Sequence, residues 1–159
     1  MPLYHRWFND WAVMETMEDP APERLDDTER WFDRNGRADV RDQVTFTLYE
    51  REASRPIGVT SLQQIDHLRR TAMFSIVIGE RAVWGRGYGT EATRLVLGYA
   101  FGRLNLHSVR LTVRAYNERA IAAYRRAGFR EIGRWRQAHR RGGEAHDLVF
   151  MDCLATDTT

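Results

Sequence analysis

Apolar positions at the start of the chain recur with helical spacing. Leu3, Trp7, Trp11 and Met14 predict one helix over residues 3–17. "DPAPE" from Asp19 breaks it, and Asp26, Asp27 or Thr28 then caps a second helix carrying Trp31 and Phe32. The period changes to two at "QVTFTLYE" (43–50), where Val44, Phe46 and Leu48 share a face. A turn at Ser54–Arg55–Pro56 leads to a second strand, "IGVTSLQQI" (57–65). "AMFSIVI" (72–78) is a third, nearly apolar in its second half and ended by Gly79. A helix follows over roughly residues 88–104. Ala92, Leu95, Val96 and Tyr99 lie on one face of it, and Leu97, Phe101 and Leu104 widen the apolar surface, so a well-buried helix is expected. "HSVRLTVR" (107–114) alternates as a strand. "NERAIAAYRRAGF" reads as a short helix with Asn117 as N-cap and Gly128 as its left-handed stop. "FREIGRW" and "HDLVFMDCL" are the last two strands. Antiparallel strands followed by strand–helix–strand–helix–strand predict a mixed α/β fold.

Between the third strand and the long helix lies "WGRGYGTEA", starting at Trp84. Gly85, Gly87 and Gly89 carry no Cβ to block close approach. Successive N–H groups converge there, the helix dipole favours an anion, and Arg86 adds positive charge. Each hydrogen bond to a charged phosphate oxygen is worth about 1.5–3 kcal/mol, so the loop reads as a phosphate cradle. A tight turn is the plainer alternative. The loop lacks the Lys–Ser/Thr of a Walker A motif. A dinucleotide fingerprint needs two more residues between its last glycines and an acidic residue after the next strand, which here ends in Arg114. Asn117 and Tyr124 are seven residues apart, about two helical turns, and so share a face from which both can reach one extended ligand.

The glycine loop, together with the later "N-x-x-A-I-x-x-Y-x-x-x-G-F" from Asn117 to Phe129, resembles the GNAT superfamily of acetyl-CoA-dependent N-acetyltransferases. "WGRGYGTEA", "NERAIAAYRRAGF" and the opening "YHRWFND…VM" are similar to its RimJ/RimL-like branch, over about Leu3 to Leu154. Trp84 stands where Gln or Arg is usual in the superfamily; Trp is common there in that branch. The resemblance implies a central mixed sheet flanked by helices. It implies that N–H groups of Arg86, Gly87, Tyr88, Gly89 and Thr90 hold the pyrophosphate of coenzyme A. Ile76, Val77 and Ile78 would pair through their backbone with the pantetheine arm, which Asn117 also binds. Tyr124 would protonate the leaving thiolate. A phenol of pKa about 10 donates to a thiolate of pKa about 8.5 only with help from the site. The general base has several candidates. Only about a thousandth of an alkylamine is unprotonated near neutral pH, a cost of roughly 4 kcal/mol. In related proteins a carboxylate on the strand before the loop often helps; here Met73, Phe74 and Ser75 occupy that stretch. Glu80 and Asp66 are the nearest carboxylates, with His67 and His146 behind them, and a water relay is equally open. Related chains also open with a strand, for which this one has no room, so a first edge strand is expected to be missing or the start truncated.

Length and charge refine this picture. The 159 residues, 43% hydrophobic, suit one domain spanning 1–159. No apolar run is long enough for a membrane span, and the charged, aromatic start does not read as a signal peptide. Cys153 is the single cysteine, which excludes an internal disulfide and suits the cytoplasm. Residues 1–66 hold 8 Arg against 14 Asp and Glu, a net −6; residues 67–159 hold 16 against 8, a net +8. All basic residues are Arg. The acidic half suggests a cationic acceptor such as a polyamine or aminoglycoside; the branch resemblance suggests a protein N-terminal amine. Arg125, Arg126, Arg130, Arg134, Arg136, Arg140 and Arg141 follow no nucleic-acid-binding motif, and nucleic acid is not the expected partner. The expected activity is acetyl transfer from acetyl-CoA to a primary amine by direct attack in a ternary complex, with no metal, and a homodimer is a candidate assembly. The alternative is a coenzyme-A-binding or nucleic-acid-binding module without catalysis.

Overall fold

In the computed structural model, the described residues are 2–17, 24–36 and 41–157. Six strands among them form one sheet: β1 (Val44–Glu50), β2 (Arg55–Asp66), β3 (Thr71–Ile78), β4 (Ser108–Arg114), β5 (Arg130–Arg141) and β6 (Glu144–Leu154). Their order is β1-β2-β3-β4-β6-β5. The helices are α1 (Pro2–Phe8), α2 (Trp11–Met14), α3 (Leu25–Gly36), α4 (Tyr88–Gly102) and α5 (Glu118–Ala127). The fold is mixed α/β, as the periods predict. Among the described residues no strand precedes β1, which lies on the sheet edge. None of the described helices is long and apolar enough to cross a membrane.

Neighbouring strands pair antiparallel except β3 and β4, which run parallel. That pairing covers three residue pairs, Thr71–Ser108, Ala72–Val109 and Met73–Arg110. Beyond Met73 the two strands continue without pairing, to Ile78 and Arg114, and a gap opens in the middle of the sheet. On one sheet face, α4 and α5 close the main core, where Val96, Leu97 and Ile121 meet Leu62, Phe74, Leu111 and Met151. On the other face, Tyr4, Trp7 and Phe8 of α1 pack with Val59 and Val77.

Several elements depart from the sequence reading. The single helix over 3–17 is two, because Asp10 takes extended backbone and its side chain caps α2, accepting from the Ala12 N–H at 3.0 Å. Trp11 is consequently exposed, off the apolar face. Helix α3 begins at Leu25, so Asp26 and Asp27 lie in its first turn, where they suit the dipole, and Thr28 is inside the helix. The side chains of Trp31 and Phe32 lie outside the described residues. Leu95 is 68% exposed: the buried stripe of α4 runs through Ala92, Thr93, Val96, Leu97 and Ala100. The last two strands are longer than predicted. They are joined by a two-residue hairpin, Gly142–Gly143, both with positive φ, as a type I′ turn requires.

Candidate active site

The gap between β3 and β4 is the floor of a cleft lined from four directions. Ile76 and Ile78 come from β3, Val83–Thr90 from the glycine loop, Asn117–Tyr124 from α5, and Thr16 from beyond α2. In an antiparallel pair, alternate residues point their backbone groups at the partner strand. The Gly79 N–H donates to the Ile57 carbonyl at 2.8 Å, which places Gly79 and Val77 on the β2 side and Ile76 and Ile78 on the gap side. The three residues predicted to line one wall therefore divide. Ile76 and Ile78 present polar backbone to the cleft, whereas Val77 is a rung of the β2–β3 ladder with its side chain packed against α1.

The glycine loop uses the backbone freedom its sequence supplies. Gly85 and Gly87 have φ of +79° and +83°, and a Cβ built at Gly85, Gly87 or Gly89 meets nothing within 4 Å. Gly87 is the N-cap of α4, and the first bond of that helix runs from the Glu91 N–H to the Gly87 carbonyl. The N–H groups of Tyr88, Gly89 and Thr90 thus have no intrahelical partner. They are free donors at a positive helix end beside open space, as an anion-binding loop requires. Thr90 is buried, and its hydroxyl meets the Ala123 carbonyl at 3.5 Å, tying α4 to α5.

The Arg86 charge expected at the coenzyme turns elsewhere, and the Tyr88 side chain goes with it. Arg86 Nη1 lies 3.4 Å from Glu50 Oε1, and the Tyr88 hydroxyl donates to the same oxygen at 2.9 Å. Arg55 holds Oε2 at 2.9 Å. Glu50, 4% exposed at the end of β1, therefore latches the glycine loop to the sheet edge. The Arg55 and Tyr88 hydrogen bonds hold its carboxyl below the usual carboxylate range, and Glu50 in turn raises the Tyr88 phenol. Sequence reasoning missed Glu50; its signal is an acidic residue closing an alternating strand, with Arg55 opposite it. Trp84 has its own role. Its indole N–H donates to the Ile78 carbonyl at 2.8 Å, and the Arg119 guanidinium lies 4.6 Å above its ring. It joins the end of β3 to the start of α5 across the cleft mouth.

On α5 the paired expectation holds geometrically: Asn117 and Tyr124 both line the cleft. Asn117 is the N-cap, accepting from the Ala120 N–H at 3.3 Å through Oδ1, which leaves its Nδ2 donor for the cleft. The Tyr124 ring sits edge-on to Phe74 and Phe129. Its hydroxyl hydrogen-bonds to no described residue. Burial pushes that phenol up to about 12, so it stays protonated at neutral pH.

The base candidates fall away from the cleft. Glu80 Oε1 accepts from Arg6 Nη2 and, at 2.9 Å, from Trp7 Nε1; the carboxylate anchors α1 and does not line the cleft. Asp66 caps the β2–β3 turn through the N–H groups of Leu68 and Arg69, at the opposite end of β3 from Ile78. His67 bonds the Arg41 carbonyl at 2.7 Å. His146 packs against the Tyr116 ring. Cys153 is fully buried and its thiol is pushed up to about 11 by that burial. Of the seven late arginines, Arg125, Arg130, Arg134 and Arg141 hold carboxylates, so the stretch is not a bare basic surface.

Residues 1–130 match the sequence profile of the acetyltransferase (GNAT) domain. The chain belongs to the GNAT acetyltransferase family. It is 40% identical over 72 residues to the spermidine N(1)-acetyltransferase of Escherichia coli K12, a match covering 45% of this chain and 38% of that enzyme's length. It is 27% identical over 151 residues to the spermidine N(1)-acetyltransferase of Vibrio cholerae, covering 94% and 84% of the two chains. The crystal structure of the Vibrio cholerae enzyme in complex with CoA and spermine superposes with a TM-score of 0.86 at 25% identity, over 98% of this chain and 90% of that one. The split sheet and glycine loop described above are thus parts of a GNAT fold.

Proposed function

We propose that this GNAT domain transfers the acetyl group of acetyl-CoA to a primary amine by direct attack in a ternary complex. The observation that carries the reading is the cleft itself. A backbone edge at Ile76 and Ile78 that pairs with no strand, three free N–H donors at the start of α4, and an orphan Tyr124 hydroxyl all line one opening. Tyr88, Gly89 and Thr90 would hold the pyrophosphate of the coenzyme through their backbone. Ile76, Ile78 and Asn117 would hold the pantetheine arm. The bound coenzyme supplies an activated thioester.

Tyr124 is the residue that would meet the leaving sulfur. With its phenol at about 12, full proton transfer to a thiolate of pKa about 8.5 is uphill by roughly 5 kcal/mol. Tyr124 therefore acts by donating a hydrogen bond as charge develops on sulfur, with the proton following as the site reorganises around ligand. No carboxylate of the described residues lines the cleft, so the amine proton leaves through water. The finer reading of the acceptor is a small amine, following the spermidine enzymes that this chain is similar to. Cytoplasmic location and a homodimer belong to the same proposal. Release of free thiol from acetyl-CoA across a panel of primary amines tests it. Amine-dependent release with an acetylated product is expected. Tight coenzyme binding with no product on any amine overturns it in favour of a binding module.

A further inference from the structure

Arg114 ends β4 and is only 8% exposed. Val109, Leu111 and Val113 alternate into the main core, so Arg114 points to the opposite sheet face, away from α4 and α5. A buried guanidinium needs a carboxylate partner, because desolvation is otherwise uncompensated. Arg114 has none among the described residues. Its Nη1 donates to His139 Nε2 at 2.7 Å and lies 3.5 Å from the Tyr116 hydroxyl, both uncharged partners, and its buried Nε has no acceptor among the described residues. His139 accepts that bond and is therefore unprotonated; burial and the Arg114 charge hold its imidazole below the usual range. Beside it, the Arg141 guanidinium lies 4.8 Å over the Tyr116 ring and pairs with Glu15. Glu15 thus serves Arg141, and among the described residues Arg114 is left without an anion.

This cluster borders the cleft. The Asn117 N–H donates to the Arg114 carbonyl at 2.9 Å, the Tyr116 hydroxyl meets the Glu15 carbonyl at 3.4 Å, and Asn117 and Thr16 both line the cleft. We infer that the acceptor amine carries a carboxylate, which Arg114 binds with Arg141 beside it. The inference rests on the acetyl-transfer reading and sharpens its acceptor. It sets this chain apart from the polyamine expectation, since no carboxylate of the described residues lines the cleft to take a second cation.

The test uses amino acids, their carboxamides and the matching decarboxylated amines, with thiol release from acetyl-CoA as readout. At least tenfold higher kcat/KM is expected for the carboxylate member of each set. Arg114→Gln should bring that ratio close to one, and Arg114→Lys should restore part of it. Equal kcat/KM across the wild-type sets, or a preference that survives Arg114→Gln, overturns the inference. If Arg114→Gln fails to fold, Arg141→Gln should lower the same ratio at least threefold, and an unchanged ratio overturns it. Calorimetry of N-acetylated amino acids on the CoA-loaded protein needs no turnover. Binding weakened at least tenfold in Arg114→Gln supports the site; absent or unweakened binding rejects it. Coenzyme binding without acetylation of any amine instead rejects the catalytic reading alone.

Discussion

Gly79 and Gly87 stand on either side of Trp84, and their missing Cβ atoms serve opposite ends. A Cβ at Gly79 would overlap the Trp7 indole, itself 1% exposed, so this glycine makes room for another part of the same chain. A Cβ at Gly87 would meet nothing within 4 Å, and its φ of +83° is one that side chains resist. That glycine keeps space empty. The carboxylates nearby follow the same division. Glu80 is occupied by Arg6 and Trp7 and fixes α1 to the sheet, while Glu50 is occupied by Arg55, Arg86 and Tyr88 and fixes the loop that frames the cleft. One region is closed and self-satisfied; the other is built with donors and space left over. Unused donors beside open space are what mark the candidate site.

The largest expected effect separates chemistry from packing in the open region. Tyr124→Phe keeps the ring against Phe74 and Phe129 and removes the orphan hydroxyl. Turnover should fall roughly 10²–10³-fold, about 2.7–4 kcal/mol, with melting temperature and coenzyme affinity near wild type. A thioester whose thiol has a low pKa should recover much of the rate. Wild-type turnover in Tyr124→Phe would make Tyr124 a core aromatic. The next effect belongs to the closed region. Gly79→Ala should destabilise the fold by roughly 2–3 kcal/mol through overpacking, read from denaturant unfolding. Pairing it with Trp7→Leu should remove most of that cost, because the two positions share one volume. Additive costs would mean that Trp7 is not what Gly79 accommodates.

The open region was the more legible in sequence, and the reason is physical. Free donors, left-handed glycines and a capping Asn each demand a particular residue type at a particular spacing, so Gly85–Gly89, Asn117 and Gly128 are legible in the chain alone, whereas Tyr124 stands out only through the family resemblance and its spacing from Asn117. Contacts between distant segments impose no such pattern. Nothing near Glu80 announces Arg6 and Trp7, more than seventy residues earlier, and nothing near Glu50 announces Tyr88. The split among Ile76, Val77 and Ile78 depends on which face of β3 meets β2, a matter of register. The "GG" at 142–143 between two arginine-rich arms is a hairpin signal, obscured because residues 136–141 show no apolar alternation. Asp10 is a good cap inside what looked like one continuous helix.

The smallest expected effect bears most directly on the comparison, because it asks whether the empty space at the loop is reserved for a ligand. Gly87→Val forces a branched side chain into left-handed backbone, at roughly 1–2 kcal/mol of stability, and projects it into the open side of the loop. Coenzyme affinity should fall at least tenfold, about 1.4 kcal/mol. Strain alone could disturb the loop, so a second glycine supplies the control. Gly143, in the β5–β6 hairpin, has φ of +84° and likewise no atom within 4 Å of a built Cβ, but it does not line the cleft. Gly143→Val should cost a similar amount of stability and leave coenzyme binding by calorimetry unchanged. If both variants lose stability and neither loses affinity, Gly87 serves the turn alone, and the donors at the start of α4 do not hold the pyrophosphate. If Gly87→Val loses affinity while Gly143→Val does not, the vacancy at Gly87 is part of the binding site, as the space at Gly79 is part of the core.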